Sequence, residues 1–252
     1  MSKSESKVAV VTGAARGIGA ATASRFAKEG YEVFGLDVLP PEKAAASKPI
    51  RRHNCDVTDE GAVSRLIGDV ERQFGRIDVL ANIAGVVLVR PLTETKWEDF
   101  QRIVNVNLGG TFLLLKHVLP IMQRQKRGAV VNMASVSGHV GQIDHGLYGA
   151  TKAAVIALCR GLAWEMAPYN IRINSVSPGS VDTAMLRGDI DIESRRTALP
   201  FETVKKKREA EQALGRWADP SEIASAVYFL ASDEASFITG TDLLVDCGWT
   251  AR

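Results

Sequence analysis

Hydrophobic and polar positions along this chain fall into alternating blocks: short β-branched runs, then longer segments with apolar residues at helical spacing. Residues 7–12 (KVAVVT) are apolar and β-branched, the composition of a strand covered on both faces. Residues 17–29 carry small and apolar side chains at helical intervals, and Gly30 ends the segment. Strands are predicted at 32–36 and 50–55, then an amphipathic helix over 59–74 that opens on an Asp cap and closes before Gly75. A fourth strand at 77–81, a long helix over 96–122 and a fifth strand at 129–133 follow. The remainder reads as a helix over 148–166, a strand at 171–176, a helix over 220–231 and a short last strand at 243–245. Such alternation requires right-handed crossovers and predicts an α/β fold: a doubly wound parallel sheet of about seven strands with helices on both faces.

Two of these helices are apolar nearly all round. The segment 148–166 holds Ala153, Ala154, Val155, Ile156, Leu158, Leu162, Ala163, Trp164 and Met166, and the segments 112–115 and 118–122 are similar. A helix lying on a sheet needs only one apolar stripe. The excess fits either a deep core or, the preferred reading, burial against a second copy of the chain in a symmetric homo-oligomer.

Length and composition narrow the class. The 252 residues show no repeat, low-complexity tract or linker, so one domain over 1–252 is expected. With 31 basic and 29 acidic side chains the net charge is +2, too balanced to point to nucleic acid or a membrane surface as partner. Three scattered cysteines form no C-x-x-C pair, and together with four histidines they show no metal-ligand spacing. The polar start runs straight into the first strand, and the apolar stretches are interrupted short of a membrane span. A cytoplasmic setting is expected.

Candidate chemistry begins after the first strand. Thr12-Gly13-Ala-Ala-Arg16-Gly17-Ile18-Gly19 places glycines where a tight turn brings backbone N–H groups to a pyrophosphate at a helix N-terminus. In this context the parallel sheet becomes a Rossmann-type one. Asp37, at the end of the second strand, suits the two adenosine-ribose hydroxyls and repels a 2′-phosphate, which favours NAD over NADP. Arg16 is the opposing sign, since it can pair with that phosphate, but a solvated side chain is the preferred reading. Asp56-Val57 bounds the adenine pocket or simply makes a turn. Asn82-Ile-Ala84-Gly85 is small enough for the backbone to pass close to a ribose.

Tyr148 and Lys152, four apart at a helix start, share one face, so an ammonium lies near a phenol. Its charge favours the phenolate and draws the tyrosine toward the range of a working acid–base group. Taken with the ordered series Thr12-Gly13-x-x-x-Gly17-x-Gly19, Asn82-x-x-Gly85, Asn107, Ser135, Tyr148-x-x-x-Lys152 and Pro178-Gly179, the chain resembles the classical short-chain dehydrogenase/reductase family over nearly its whole length.

That resemblance implies roles. Tyr148 exchanges a proton with the reacting oxygen, Ser135 hydrogen-bonds the same oxygen, and Lys152 holds the nicotinamide ribose while lowering the tyrosine pKa. Asn107 binds a water that links Lys152 to solvent. Ser137 receives no catalytic role. Pro178, Gly179, Val181 and Thr183 hold the nicotinamide side, and Gly13, Gly17, Ile18 and Gly19 hold the phosphates. Where the family often ends in Val-Asp-Gly-Gly, this chain has Val245-Asp246-Cys247-Gly248, and Cys247 is expected to be a small buried residue. A homotetramer is the oligomer that the resemblance favours.

The substrate end is less specific. Residues 185–215 are expected to form a lid, with Arg187, Arg195, Arg196 and the run Lys205-Lys206-Lys207-Arg208 either facing solvent or meeting an anionic substrate. The polar stretch holding His139, Gln142, Asp144 and His145 predicts a small hydroxylated or charged substrate, with Ser135, Gln142, His145 and Tyr148 as contacts. The function expected is NAD(H)-dependent interconversion of a secondary alcohol and a ketone. Two alternatives stand beside it: reduction of 3-oxoacyl chains on acyl-carrier protein, and a non-catalytic NAD-binding sensor, the latter disfavoured because Asn107, Ser135, Tyr148 and Lys152 are all present.

Overall fold

The computed structural model describes residues 6–40 and 50–251. Strands β1 (Val8–Thr12), β2 (Glu32–Asp37), β3 (Arg51–Asn54), β4 (Val79–Asn82), β5 (Gly128–Met133), β6 (Ile171–Pro178) and β7 (Asp242–Val245) form one sheet in the order β3-β2-β1-β4-β5-β6-β7. Every neighbouring pair is parallel. The expected doubly wound, seven-stranded sheet is therefore what the chain forms.

Helices α1 (Gly17–Lys28) and α8 (Pro220–Ala231) cover one face, while α2 (Glu60–Phe74), α4 (Gly110–Gln125) and α5 (Gly146–Met166) cover the other. The period-2 pleat explains why β1 is apolar throughout: Val8 and Val10 enter one core, Ala9 and Val11 the other. Local chemistry sets the helix ends. Asp59 caps α2 by accepting from the Ala62 N–H at 3.0 Å, and Gly75 leaves it in the left-handed conformation. Asp219 and Glu222 form a capping box at the start of α8, with Pro220 as its first residue.

The long helix departs from its expected form. It runs from Trp97 to Gln125 as α3 (Trp97–Val104), a π-helical stretch (Asn105–Gly109) and α4. It is also long and apolar enough to cross a membrane by length and composition, which the sequence reading did not foresee. Here Leu114, Leu115, Val118, Leu119, Ile121 and Met122 join the core beneath the sheet instead. Two further helices, α6 (Ala184–Thr197) and α7 (Phe201–Ala210), occupy most of the stretch expected to be a lid. Their own small apolar cluster gathers Ile190, Val204 and Trp217.

Cys247 is another departure. It is half-exposed rather than buried and sits at φ 53°, a backbone region that glycine enters without strain. Its Sγ accepts from the Leu214 N–H at 3.2 Å, which gives the thiol a reason to stand where the family often has glycine.

Candidate active site

A cavity of about 420 Å³ opens at the carboxyl ends of β1, β2, β4, β5 and β6, where strand order reverses between β1 and β4. Gly13, Arg16, Gly17, Ile18, Gly19, Asp37, Asp56, Val57, Ala84, Gly85, Ser135, Gln142, His145, Tyr148, Lys152, Pro178, Gly179, Val181 and Thr183 all line it. Two expected site residues do not. Asn82 lies beneath the floor, its Nδ2 donating to Asn132 Oδ1 at 2.8 Å, and Asn107 is buried beside Lys152.

The glycine loop is shaped for close approach. Gly13 and Gly17 have φ of +67° and +53°, and a Cβ on Gly19 would lie 1.9 Å from the Gly13 carbonyl oxygen. The α1 N-terminus carries no acidic side chain in its first turn and no side-chain cap, so its N–H groups face the cavity mouth with their partial positive charge. Thr12 Oγ1 accepts from the Ile83 and Ala84 N–H groups at 3.0 Å each, tying β1 to the strand beside it. Asp37 holds the loop from the far side: Oδ2 accepts from the Ala15 N–H and Oδ1 from the Leu39 N–H, both at 2.9 Å. A carboxylate has four acceptor sites, so Asp37 retains capacity for ribose hydroxyls. Arg16 is exposed on the cavity rim. Asp56 Oδ1 accepts from the N–H and hydroxyl of Thr58, a turn arrangement. This glycine cradle, bare helix N-terminus and strand-end carboxylate fit a dinucleotide.

Deeper in the cavity, Ser135 stands two residues past the end of β5, and Tyr148 and Lys152 project from the first turns of α5. The Lys152 ammonium donates to the Met133 carbonyl at 2.8 Å and stands 5.8 Å from the Tyr148 ring centre. Burial brings its pKa down to about 8. The tyrosine corrects the expectation of a lowered pKa: burial pushes the Tyr148 phenol up, a hydrogen bond with Ser135 pulls it down, and the Asp189 carboxylate pushes it up again. In the protein alone, desolvation outweighs the help that Lys152 was expected to give.

Asn107 sits in the π-helical stretch. Its Oδ1 accepts from the Val86 N–H at 2.8 Å, and its Nδ2 donates to the Val86 carbonyl and Thr151 Oγ1 at 3.0 Å each. Both N–H groups of that amide are engaged by protein partners, while Oδ1 keeps a second acceptor site. A Cβ on Gly85 would lie 3.2 Å from Asn107 Oδ1 and 3.4 Å from Lys152 Nζ, so Gly85 is the spacer that lets both approach. Ser137 also lines the cavity: its N–H donates to Ser135 Oγ at 3.2 Å, and its hydroxyl bonds Gln142.

Several of the basic residues in 185–215 have carboxylate partners of their own. Arg187 pairs with Asp182, Arg196 with Asp144 and Lys205 with Glu209. Of the basic residues in 185–215 only Arg208 lines the cavity, and Glu193 engages it at 2.8 Å. Thr183 caps α6, and its methyl group lies 3.1 Å from where a Gly17 Cβ would stand, so α6 starts against the glycine loop. Asp189 on α6 went unnoticed in the sequence, as did the apolar wall of Val86, Val87, Met185 and Leu186. The motif D-I-D-I-E around Asp189 looks like a solvated turn of helix, and only packing shows that this carboxylate faces inward.

Comparison with known proteins agrees with this arrangement. A family model described as enoyl-(acyl carrier protein) reductase matches residues 13–250. The chain is 38% identical to a 3-oxoacyl-[acyl-carrier-protein] reductase of Thermotoga maritima, over 97% of this chain and 98% of that one. It is 40% identical to a meso-2,3-butanediol dehydrogenase of Serratia marcescens, over 98% and 96%. The solved structure of ElxO with NADP bound superimposes with a TM-score of 0.88 at 34% identity, covering 98% of this chain and all of that one.

Proposed function

The chain belongs to the classical short-chain dehydrogenase/reductase family, whose members are oxidoreductases of alcohols and ketones that bind a nicotinamide cofactor, and from that premise we propose that it interconverts a small, polar secondary alcohol and its ketone with NAD(H). The observation that carries this reading is the convergence of Ser135, Tyr148 and Lys152 in one cavity with the glycine loop. When bound, the nicotinamide supplies the hydride to the carbonyl carbon or takes it from the carbinol carbon. Tyr148 gives its phenolic proton to the carbonyl oxygen in reduction and takes it back in oxidation. Ser135, hydrogen-bonded to that phenol, steadies the charge that develops on the same oxygen. Lys152, in its protonated form, favours the phenolate and holds the ribose hydroxyls. Asn107 positions the ground beneath it through Val86 and Thr151.

Preference for NAD over NADP rests on Asp37. Its carboxylate at the end of β2 opposes a 2′-phosphate, while Arg16 on the rim is the group that would welcome one. Residues 185–215 serve as the substrate lid of a single catalytic domain spanning 1–252. A homotetramer in the cytoplasm completes the reading, supported by large apolar side chains on the outer surfaces of α4 and α5, Phe112 and Trp164, the latter 85% exposed. A 3-oxoacyl reductase is the second reading, favoured by the Thermotoga relative and by the apolar wall of Val86, Val87, Met185 and Leu186, and opposed by Asp37.

The test is reduction of NAD, and separately NADP, by the purified protein across secondary alcohols, sugars and a 3-oxoacyl thioester run in reverse. Tyr148→Phe should lower kcat by at least a hundredfold, the scale of general acid–base catalysis, while leaving NADH binding intact. Undiminished turnover in that variant would defeat the mechanism, and thioester reduction with NADPH alone would install the second reading.

A further inference from the structure

The far end of the cavity holds side chains that proton transfer at Tyr148 does not use. His145 and Asp189 are 5% and 6% exposed, with Nε2 and Oδ2 3.4 Å apart. The His145 ring is fixed by Nδ1, which donates to the Ile143 carbonyl at 2.8 Å. Arg208 gives both Nε and Nη2 to Glu193 Oε2, at 3.0 and 2.8 Å, and stands at 4.0 Å from Asp189 and 3.9 Å from Glu211. Its one positive charge thus faces three carboxylates. Asp189 Oδ1 is buried with no hydrogen-bond donor among the described residues. Asp189 lines the same cavity as Tyr148, together with His145 and Arg208.

We propose that Asp189 determines specificity: its unpaired oxygen accepts a hydrogen bond from a second hydroxyl of the substrate, so the site takes neutral diols, hydroxyketones or sugars and turns carboxylates away. The inference rests on the alcohol–ketone reading above and names its substrate class. A hydroxyl brings the donor that Oδ1 lacks, whereas an apolar substituent leaves that oxygen desolvated and unbonded. A carboxylate substrate fares worse. It brings no donor and adds a fourth negative charge beside a guanidinium already engaged by Glu193. The lid cations that would favour an anion point elsewhere, Arg196 to Asp144 and Arg187 to Asp182.

The experiment reads binding rather than turnover. Tyr148→Phe protein with NADH is titrated by calorimetry with 3-hydroxybutan-2-one, butan-2-one and 2-oxobutanoate, alone and with Asp189→Ala or Asp189→Asn added. The hydroxyketone should bind at least tenfold more tightly than the plain ketone, with the oxoacid weakest, a ratio suited to one charge-assisted hydrogen bond. Asp189→Ala should bring that ratio to near unity. Asp189→Asn, which keeps the volume and one acceptor, should retain part of it and admit the oxoacid more readily. An unchanged ratio in Asp189→Ala overturns the proposal, and so does equal weakening of both ketones, the outcome of a purely structural role. Tighter binding of the oxoacid by the starting protein also overturns it. Undiminished alcohol oxidation by Tyr148→Phe would instead defeat the functional reading beneath it, with the binding ratio still measured.

Discussion

Lys152 carries its charge where water scarcely reaches it, and that has a consequence for stability as well as for catalysis. Its folded pKa of about 8 lies below the ordinary 10.5. Below pH 8 both folded and unfolded chains hold the proton, so the full burial penalty is present. As pH rises from 8 toward 10, the folded chain releases its proton first, the unfolded chain holds more, and stability is gained. The gain approaches about 3 kcal/mol, with the upward-shifted Tyr148 phenol opposing it only at higher pH. Urea unfolding of the cofactor-free protein should therefore show wild type gaining on Lys152→Met across this window. A pH-independent difference would show that the ammonium is solvated. That Ser135, Tyr148 and Lys152 share one cavity was legible in the chain because they lie at fixed spacing on a strand end and a helix start. Asp189, and the inward turn of Arg208, were not, because packing of α6 and α7 decides which of many charged residues faces the cavity.

Among the elements, α6 is the one whose position the chemistry depends on most. Two contacts join it to the segment preceding α5: the ion pair of Arg196 with Asp144, whose φ is +62°, and the approach of Asp189 to the His145 ring at 3.4 Å. The first pair is partly open to solvent, so its worth is limited to about 1 kcal/mol, or roughly fivefold in an equilibrium. Arg196→Ala should raise the substrate KM by no more than that factor, leave the KM for NAD unchanged, and make the remaining affinity less sensitive to salt. A parallel rise in both KM values would show that α6 holds the cofactor rather than the substrate. The strands and the capped helices α2 and α8 were readable because each ends on a local signal, an Asp cap, a Gly or a Pro. The π-helical stretch was not. Its extra residue per turn leaves the apolar spacing almost unaltered, and what it accomplishes, turning Asn107 toward Val86 and Thr151, is a long-range contact. Helix α6 escaped for another reason: it has Gly188 inside it and buries only Asp189 and Ile190, so it lacks an apolar stripe.

At the scale of the whole molecule, one sheet brings loops from distant parts of the chain to a single edge. The switch in strand order between β1 and β4 opens the crevice, and β5 and β6 extend its floor toward α6. That arrangement was foreseeable from the alternation of strands and helices. The order of strands beyond β4 is set by which helices cover which face, information that no local pattern contains. The same architecture fixes a sequence of events in time. Because Thr183, the cap of α6, lies against Gly17 and the helix continues past Asp189, one element borders both the glycine loop and the Asp189 side of the cavity. On the function proposed above, the larger molecule, the dinucleotide, is expected to enter first and leave last. Initial-rate analysis should show a compulsory order, with NADH inhibiting competitively against NAD and the ketone inhibiting noncompetitively against it; random-order patterns would mean that the two ends of this cavity open independently.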